Sequence, residues 1–305
     1  MLRRSRHPPS SILHLPSSTF GAGLTMAGVL YIVATPIGNL EDISLRAIRV
    51  LKEVNLIAAE DTRHTQKLLS HYDIRTPLTS YHEHNERTKA RPLVERLLQG
   101  QNIALVTDAG VPAISDPGYR IVVEAISAGI QVTPIPGPSA LTAVLSASGL
   151  PTDRFVFEGF LPAKKKPRRD RLEALRGEMR TLVCFEAPHR LLESLRDIHE
   201  LLGDREVVVA REVSKVYEEF LRGLAGELIG KLAGREIRGE VTLVIKGSAG
   251  ESPISEALLS AEIRKLKGDG MRVKEIAEIL AEKHSLAKRE VYRMALKDED
   301  PKERG

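Results

Sequence analysis

Two aspartates, two glycines and two prolines break up "IALVTDAGVPAISDPG", Ile103 to Gly118, directly after four apolar residues. The run Ile103–Val106 reads as a buried strand, so Asp108 and Asp116 stand where a strand gives way to a loop. Gly and Pro at such a place let the main chain come close to a ligand. The loop has neither the Lys-Ser/Thr ending of a phosphate loop nor a G-x-G-x-x-G turn. Two carboxylates would also repel a pyrophosphate. The chemistry that suits them is recognition of a ligand that is not held by its phosphates.

Three further polar clusters follow apolar runs: "TPIGNLEDIS" (Thr35–Ser44), "EDTRHTQKLL" (Glu60–Leu69) and "TSYHEHNE" (Thr79–Glu86). Asp61 is placed to cap a helix. Arg63 and Lys67, one helical turn apart, would then face solvent, open to a substrate phosphate. In "YHEHNE", His82 and His84 alternate as on a strand, with Glu83 on the opposite side. No Cys joins them and no H-E-x-x-H spacing appears, so no metal is assigned. Each cluster taken singly reads as a polar loop with capping residues; four at one sheet edge point to a site, since open α/β sheets bind ligands outside the carboxyl ends of their strands.

The elements that would position these clusters alternate between short apolar runs and amphipathic stretches, the pattern of an α/β protein. Val29–Thr35 and Leu56–Glu60 read as strands, Ser44–Val54 as a helix capped by Ser44, and Tyr119–Ala128 as another helix. "ERTKARPLVERLLQG" carries a helix in which Pro92 implies a late start or a kink. "PIPGPSA" (Pro134–Ala140) can continue neither strand nor helix and marks a domain boundary. Beyond it, "RFVFEGF", "TLVCFEA", "REVVVARE" and "GEVTLVIKG" read as strands of a mixed sheet, with "YEEFLRG" as an antiparallel return. After Gly250 three short helices remain, the last two with a helix-turn-helix look, serving either as a packing module or as an RNA contact. The division is thus residues 1–25, an N-terminal extension expected to be disordered; 26–136, an α/β domain; 137–249, a second α/β domain; and 250–305, a helical module.

The chain's 305 residues and 42% hydrophobic content suffice for two cores. Cys184, the single cysteine, permits no intramolecular disulfide and suits a reducing compartment. No apolar run is long enough to span a bilayer. A net charge of +4 leans only mildly toward nucleic acid. The distribution says more: "KKKPRRDR" (Lys164–Arg171) is either a solvated loop or helix start, or a basic rim. The first 25 residues, rich in Arg, Ser and Pro and without acid, resemble a transit peptide in composition, or else a tail upstream of a start at Met26.

Taken in order, "LYIVATPIGNLEDISLRAIRVLKEVNLIAAEDTRHTQKLL", "LVTDAGVPAISDPG", "PIPGPSALTAVLSASGL", "FEGFLP" and "FEAPHRL" resemble the bacterial small-subunit ribosomal RNA methyltransferases of the tetrapyrrole-methylase-like superfamily. The resemblance spans about Val29 to Gly247, and the helical tail looks like that family's C-terminal extension. It implies a class III methyltransferase fold of two α/β domains with S-adenosylmethionine folded into the cleft between them. Main chain at Asp108, Ala109, Gly110 and Val111 would line the methionine end, with Pro36 and Asp116 as further contacts. Ser139, Ala140, Phe185, Glu186, Gly239 and Glu240 would approach the adenosine. The implied reaction is methyl transfer to the ribose 2′-hydroxyl of a cytidine in the decoding region of 16S RNA. Asp61, Glu83, His84 and Glu86 are the candidates for taking the hydroxyl proton, Asp61 and Glu83 before the others. Arg63, Lys67, His84, Lys164, Lys165, Lys166, Arg168 and Arg169 would hold RNA. A homodimer in the cytoplasm, acting on 16S rRNA or the small ribosomal subunit, completes the expectation. A small-molecule methylase, or an RNA-binding assembly factor without activity, remains the alternative.

Overall fold

The computed structural model describes residues 26–249, 256–284, 286 and 288–297. The expectation for residues 1–25 lies outside them. The first lobe is a five-stranded sheet built from β1 (Val29–Val33), β2 (Leu56–Ala59), β3 (Leu78–Ser80), β4 (Ile103–Val106) and β5 (Gln131–Ile135). Its order is β3-β2-β4-β1-β5 and every pairing is parallel. β2 and β4 are buried at every position, which is why they read as unbroken apolar runs rather than alternating ones.

Helices cover both faces. α1 (Leu45–Glu53) and α2 (Thr62–His71) pack on one side through Ala47, Leu51, Leu68 and Leu69. α3 (Glu86–Leu98) and α4 (Tyr119–Ser127) close the other through Ala90, Leu97, Ile121 and Ala125. Ser44 caps α1 by accepting from Ala47 N at 3.1 Å. α3 begins at Glu86 and runs through Pro92, so the proline does not delay its start. Ala90, Leu93, Val94 and Leu97 are buried along this helix, and that apolar stripe outweighs the one main-chain bond that Pro92 cannot donate. Pro134 lies in β5, an edge strand.

The chain leaves the first sheet at Ile135 and enters α5 (Ala140–Ser148). The second sheet contains β6 (Phe155–Phe160), β7 (Thr181–Glu186), β8 (Glu206–Arg211), β9 (Glu219–Leu224) and β10 (Val241–Ile245), in the order β6-β7-β10-β8-β9. β6 and β7 are parallel and the other pairings antiparallel, a mixed sheet in which β9 folds back on β8. Register shifts between Phe157 and Phe160, a bulge in edge strand β6. Val144, Leu145 and Leu150, in and just after α5, pack on one face against Val183, Val208 and Val244. α6 (Lys165–Ala174), α7 (Leu191–Leu202) and α8 (Ala225–Leu232) cover the other, where Cys184 is a buried core residue.

α9 (Glu256–Gly268), α10 (Val273–Lys283) and α11 (Lys288–Lys297) bury their own cluster of Leu259, Ile263, Ile276, Leu280, Val291 and Ala295. Glu262 on α9 receives both Lys283 and His284 at 2.9 Å and so pins the end of α10. No helix among the described residues is long and apolar enough to cross a membrane.

Candidate active site

A cleft of about 430 Å3 opens between the two lobes, inside the range of roughly 300–1,000 Å3 typical of small-molecule sites. The first lobe contributes chain that follows the carboxyl ends of β1, β2 and β4: Ile37, Glu60 and the loop from Thr107 to Asp116. The second lobe contributes the start of α5, the end of β7 and the start of β10. β2, β4 and β1 are adjacent parallel strands of the first sheet, whose ends leave their last carbonyls and the following amides open to a ligand. β7 and β10 are adjacent but antiparallel, so the second lobe offers one strand end and one strand start.

The loop after β4 is held in a set shape. Thr35 and Gly110 exchange both main-chain hydrogen bonds, at 2.9 and 3.0 Å, tying the loop to the end of β1. Thr35 Oγ1 adds a bond to the Thr107 carbonyl at 3.0 Å. Ala113 and Ser115 both hold positive φ, 68° and 63°, a backbone state costing about 1–3 kcal/mol for each non-glycine residue. Gly118 has φ 144°, and a Cβ there would stand 2.9 Å from Leu105 Cδ2. Two of the five non-glycine residues with positive φ among the described residues thus lie in the segment that faces the cleft.

Three carboxylates line the first lobe's side of the cleft. Glu60 Oε2 accepts from Thr107 Oγ1 at 2.6 Å and from Asp108 N at 3.3 Å. Asp108 Oδ1 accepts from Asp61 N at 3.1 Å. Burial raises the Asp108 pKa, Glu60 adds to the rise, and the Asp61 amide works against it. Asp116 is pushed up to about 6, by burial first and then by Glu60. No Lys, Arg or His makes an ion pair with Glu60, Asp108 or Asp116 among the described residues. Carboxylates gathered without a counter-ion raise one another's pKa unless a cation joins them.

Of the twelve residues expected to hold cofactor, Asp108, Ala109, Gly110, Val111, Asp116, Ser139, Ala140, Phe185, Glu186, Gly239 and Glu240 line this cleft. Pro36 does not; its neighbour Ile37 takes the wall position. Glu186 lines the cleft, but its carboxylate is committed elsewhere. It accepts from Ala187 N at 2.6 Å and from the Ser194 hydroxyl, and pairs with Arg190 at 2.6 Å. Glu60, Thr107 and Phe160 also line the cleft, although the sequence does not single them out. The place of Glu60 at the end of an apolar run is the one available sign of its role.

The other expected residues divide. Asp61 caps α2, accepting from Arg63 N at 2.8 Å, and its carboxylate also meets the Arg63 side chain at 3.3 Å. The Arg63 hydrogen bonds hold its pKa below the usual carboxylate range, which suits a cap better than a base. Arg63 and Lys67 are exposed on α2, and Arg63 borders a shallow groove with Thr79 and Ser80. Glu83 and His84 lie in an exposed turn and not on a strand, since β3 ends at Ser80. Asn85 makes that turn by accepting from His82 N at 2.9 Å and donating to the Ser80 carbonyl. Neither Glu83 nor His84 lines the cleft.

"KKKPRRDR" begins a helix, and its two central arginines are structural. Arg168 is 1% exposed; it donates from Nε to Asp197 at 2.7 Å and meets Glu193 at 3.4 Å. Arg169 bridges Asp197 at 2.9 Å and Glu200 at 2.6 Å. The expectation that both hold RNA is thereby corrected: Arg168 is buried against α7 and Arg169 is tied to the same helix. Lys164, Lys165 and Lys166 remain exposed at the helix start.

A loop of the second lobe spans the cleft's other end. Between β8 and β9, Ser214 bonds Asp42 of the first lobe. Lys215 Nζ lies 2.8 Å from Glu212 and 3.4 Å from Glu240, a cleft residue. Its stem covers Gly38, where a Cβ would meet Lys215 Cγ at 2.3 Å.

Comparison with known proteins agrees with this architecture. The sequence model of the Tetrapyrrole (Corrin/Porphyrin) Methylases matches residues 29–229. Ribosomal RNA small subunit methyltransferase I of Halalkalibacterium halodurans is 49% identical over 87% of this chain and 93% of its own length. The protein of that name from Escherichia coli O157:H7 is 48% identical over 89% and 96%. A uroporphyrin-III C-methyltransferase structure from Thermus thermophilus, complexed with S-adenosyl homocysteine, has the same fold. It superposes with a TM-score of 0.50 at 20% identity, covering 72% of this chain and 97% of that one. Two α/β lobes meeting at a carboxylate-lined cleft, together with these relationships, show that the chain belongs to the tetrapyrrole methylase family, beside the ribosomal RNA small subunit methyltransferases I.

Proposed function

We propose that this protein is an S-adenosylmethionine-dependent methyltransferase acting on 16S ribosomal RNA, at the ribose 2′-hydroxyl of a cytidine in the decoding region. The observation that carries the reading is the cleft wall of Glu60, Asp108 and Asp116, which makes no ion pair with Lys, Arg or His among the described residues, His64 acting on Asp108 only at longer range. Such a wall favours a ligand that brings positive charge and opposes one held by phosphates. S-adenosylmethionine carries an ammonium and a sulfonium, and when bound it supplies a methyl group already activated for transfer.

The chain's own work is then placement. Main chain at Asp108–Val111 and the carboxylates of Glu60 and Asp108 hold the cationic end, while Phe185, Gly239 and Glu240 border the adenosine side. Holding donor and acceptor in line can supply about 7–11 kcal/mol of the barrier. Exposed Lys67 and Lys164–Lys166 are the phosphate-holding candidates left after Arg168 and Arg169 are assigned to the protein itself. Single-stranded or distorted RNA suits a ribose that must enter a cleft. The names borne by relatives at 48–49% identity support an RNA acceptor over a tetrapyrrole. We further infer a cytoplasmic homodimer.

The test is methylation of 16S RNA, free and in small subunits from a strain lacking the relative's gene, with the product nucleotide mapped by mass spectrometry. A 2′-O-methylcytidine in the decoding region is the expected product. Donor turnover with uroporphyrinogen and none with RNA would reverse the reading.

A further inference from the structure

The cleft carboxylates do not have equal tasks. Glu60 already accepts from the Thr107 hydroxyl and the Asp108 amide, and Asp108 from the Asp61 amide. Asp116 receives no main-chain hydrogen bond and no cation among the described residues. The Thr107 hydroxyl, 2.6 Å from Glu60, also reaches Asp116, so it is shared between the two and occupies at most one Asp116 oxygen. Asp116 therefore keeps its other oxygen open toward the cleft. It is carried on the most constrained part of the loop, with Ala113, Ser115 and Gly118 all at positive φ around it.

We propose that Asp116 is the group that takes the proton from the acceptor hydroxyl, a role distinct from the holding of the donor by its neighbours. The inference rests on the methyltransferase reading above. As the ribose oxygen forms its bond to the methyl carbon, the sulfur–methyl bond breaks and its electron pair stays on sulfur. The hydroxyl proton passes to an Asp116 oxygen and then to water. The charged groups acting on Asp116 are Glu60 at the end of β2, Asp108 at the end of β4 and Glu240 at the start of β10. All three are acidic and, with burial, raise its pKa to about 6 in the ligand-free protein. A bound cationic donor lowers it from there and keeps the carboxylate ionised, ready to accept a proton near neutral pH. Asp61 and Glu83 lack this combination: the first is paired with Arg63 and the second lies off the cleft.

The test compares wild type with Asp116→Asn and Asp116→Glu, measuring donor affinity by calorimetry and methyl transfer to 16S RNA across pH 5–9. Asp116→Asn is expected to bind donor within about tenfold of wild type, to lose about 10²–10⁴-fold in rate at saturating donor and RNA, and to lack the acid limb of the wild-type pH–rate profile. Asp116→Glu is expected to recover part of the rate together with that limb. A wild-type rate in Asp116→Asn, or a loss confined to donor affinity, overturns the assignment. Absence of RNA methylation by the wild type itself would instead overturn the functional reading.

Discussion

Arg168 and Asp197 meet at 2.7 Å with their side chains 1% and 5% exposed, joining α6 to α7 beneath the second sheet. Breaking such a buried pair costs about 3–5 kcal/mol when the remaining partner is left uncompensated; Asp197 keeps Arg169 at 2.9 Å, which places the loss at the lower end of that range. Arg168→Ala is therefore expected to lower unfolding free energy by that amount in urea titrations, without selective loss of RNA affinity in the fraction that folds.

The lysines one turn earlier behave oppositely. Replacing Lys164, Lys165 and Lys166 by Ala is expected to leave the denaturation midpoint near wild type, since all three are exposed. RNA affinity measured at several salt concentrations is expected to fall. The slope of log K against log salt is expected to flatten by about 0.7 for each phosphate that a lysine no longer neutralises.

Asp108 tests the cationic-ligand reading. Asp108→Asn keeps an oxygen for the Asp61 amide but removes the charge, and Asp108→Leu removes both. Donor affinity by calorimetry is expected to weaken for Asn and to vanish for Leu, while circular dichroism shows a folded protein in both. Unchanged affinity in the Leu variant would discard the loop as the donor site.

Gly239 tests the opposite wall. Its φ is 86°, and a Cβ there would stand 2.2 Å from Glu212 Oε1, a carboxylate already bound to Lys215 and to Glu240 N. Gly239→Ala is expected to cost about 1–3 kcal/mol in backbone strain and to weaken donor binding by shifting the start of β10.

The pH dependence of stability has a definite sign. Asp116 has its folded pKa raised to about 6 from an ordinary 3.8, so the folded state binds this proton more tightly than the unfolded chain does. That stabilisation is fully present below about pH 4 and is lost as pH rises through about 6. In the ligand-free protein, Asp116→Asn is expected to melt higher than wild type at pH 7.5, with the difference closing near pH 4. Scanning calorimetry at the two pH values measures it.

How far the site is readable depends on whether its parts are neighbours in the chain. "DAGVPAISDPG" places Asp108 and Asp116 in one segment whose glycines and prolines announce a loop, and both line the cleft. Glu60 contributes as a single acid at a strand end, where cap and ligand-facing carboxylate look alike until Thr107 and Asp108 arrive from 47 and 48 residues away. Arg168 misleads for the same reason. Its partners Glu193 and Asp197 lie 25 and 29 residues on, in another helix, and a basic run does not reveal which of its members turn inward. Glu83 and His84 are misplaced by extending an alternating pattern past Ser80, where the Asn85 side chain ends the strand. The two sheets are more legible, because buried parallel strands appear as compact apolar runs. The antiparallel return of β9 follows from the short connection after β8.

The borders of the two sheets carry a consequence for behaviour at high concentration. An unpaired strand edge invites a second chain to hydrogen-bond to it, the first step toward aggregation. Each of the four edges here has a feature that resists this: β3 is three residues long, β5 contains Pro134, β6 is bulged before Phe160, and β9 presents Glu219 and Arg222. Substituting Val for Pro134 would restore a main-chain donor to an otherwise regular border and make the chain more prone to self-association through added strands, even with the cleft unaltered.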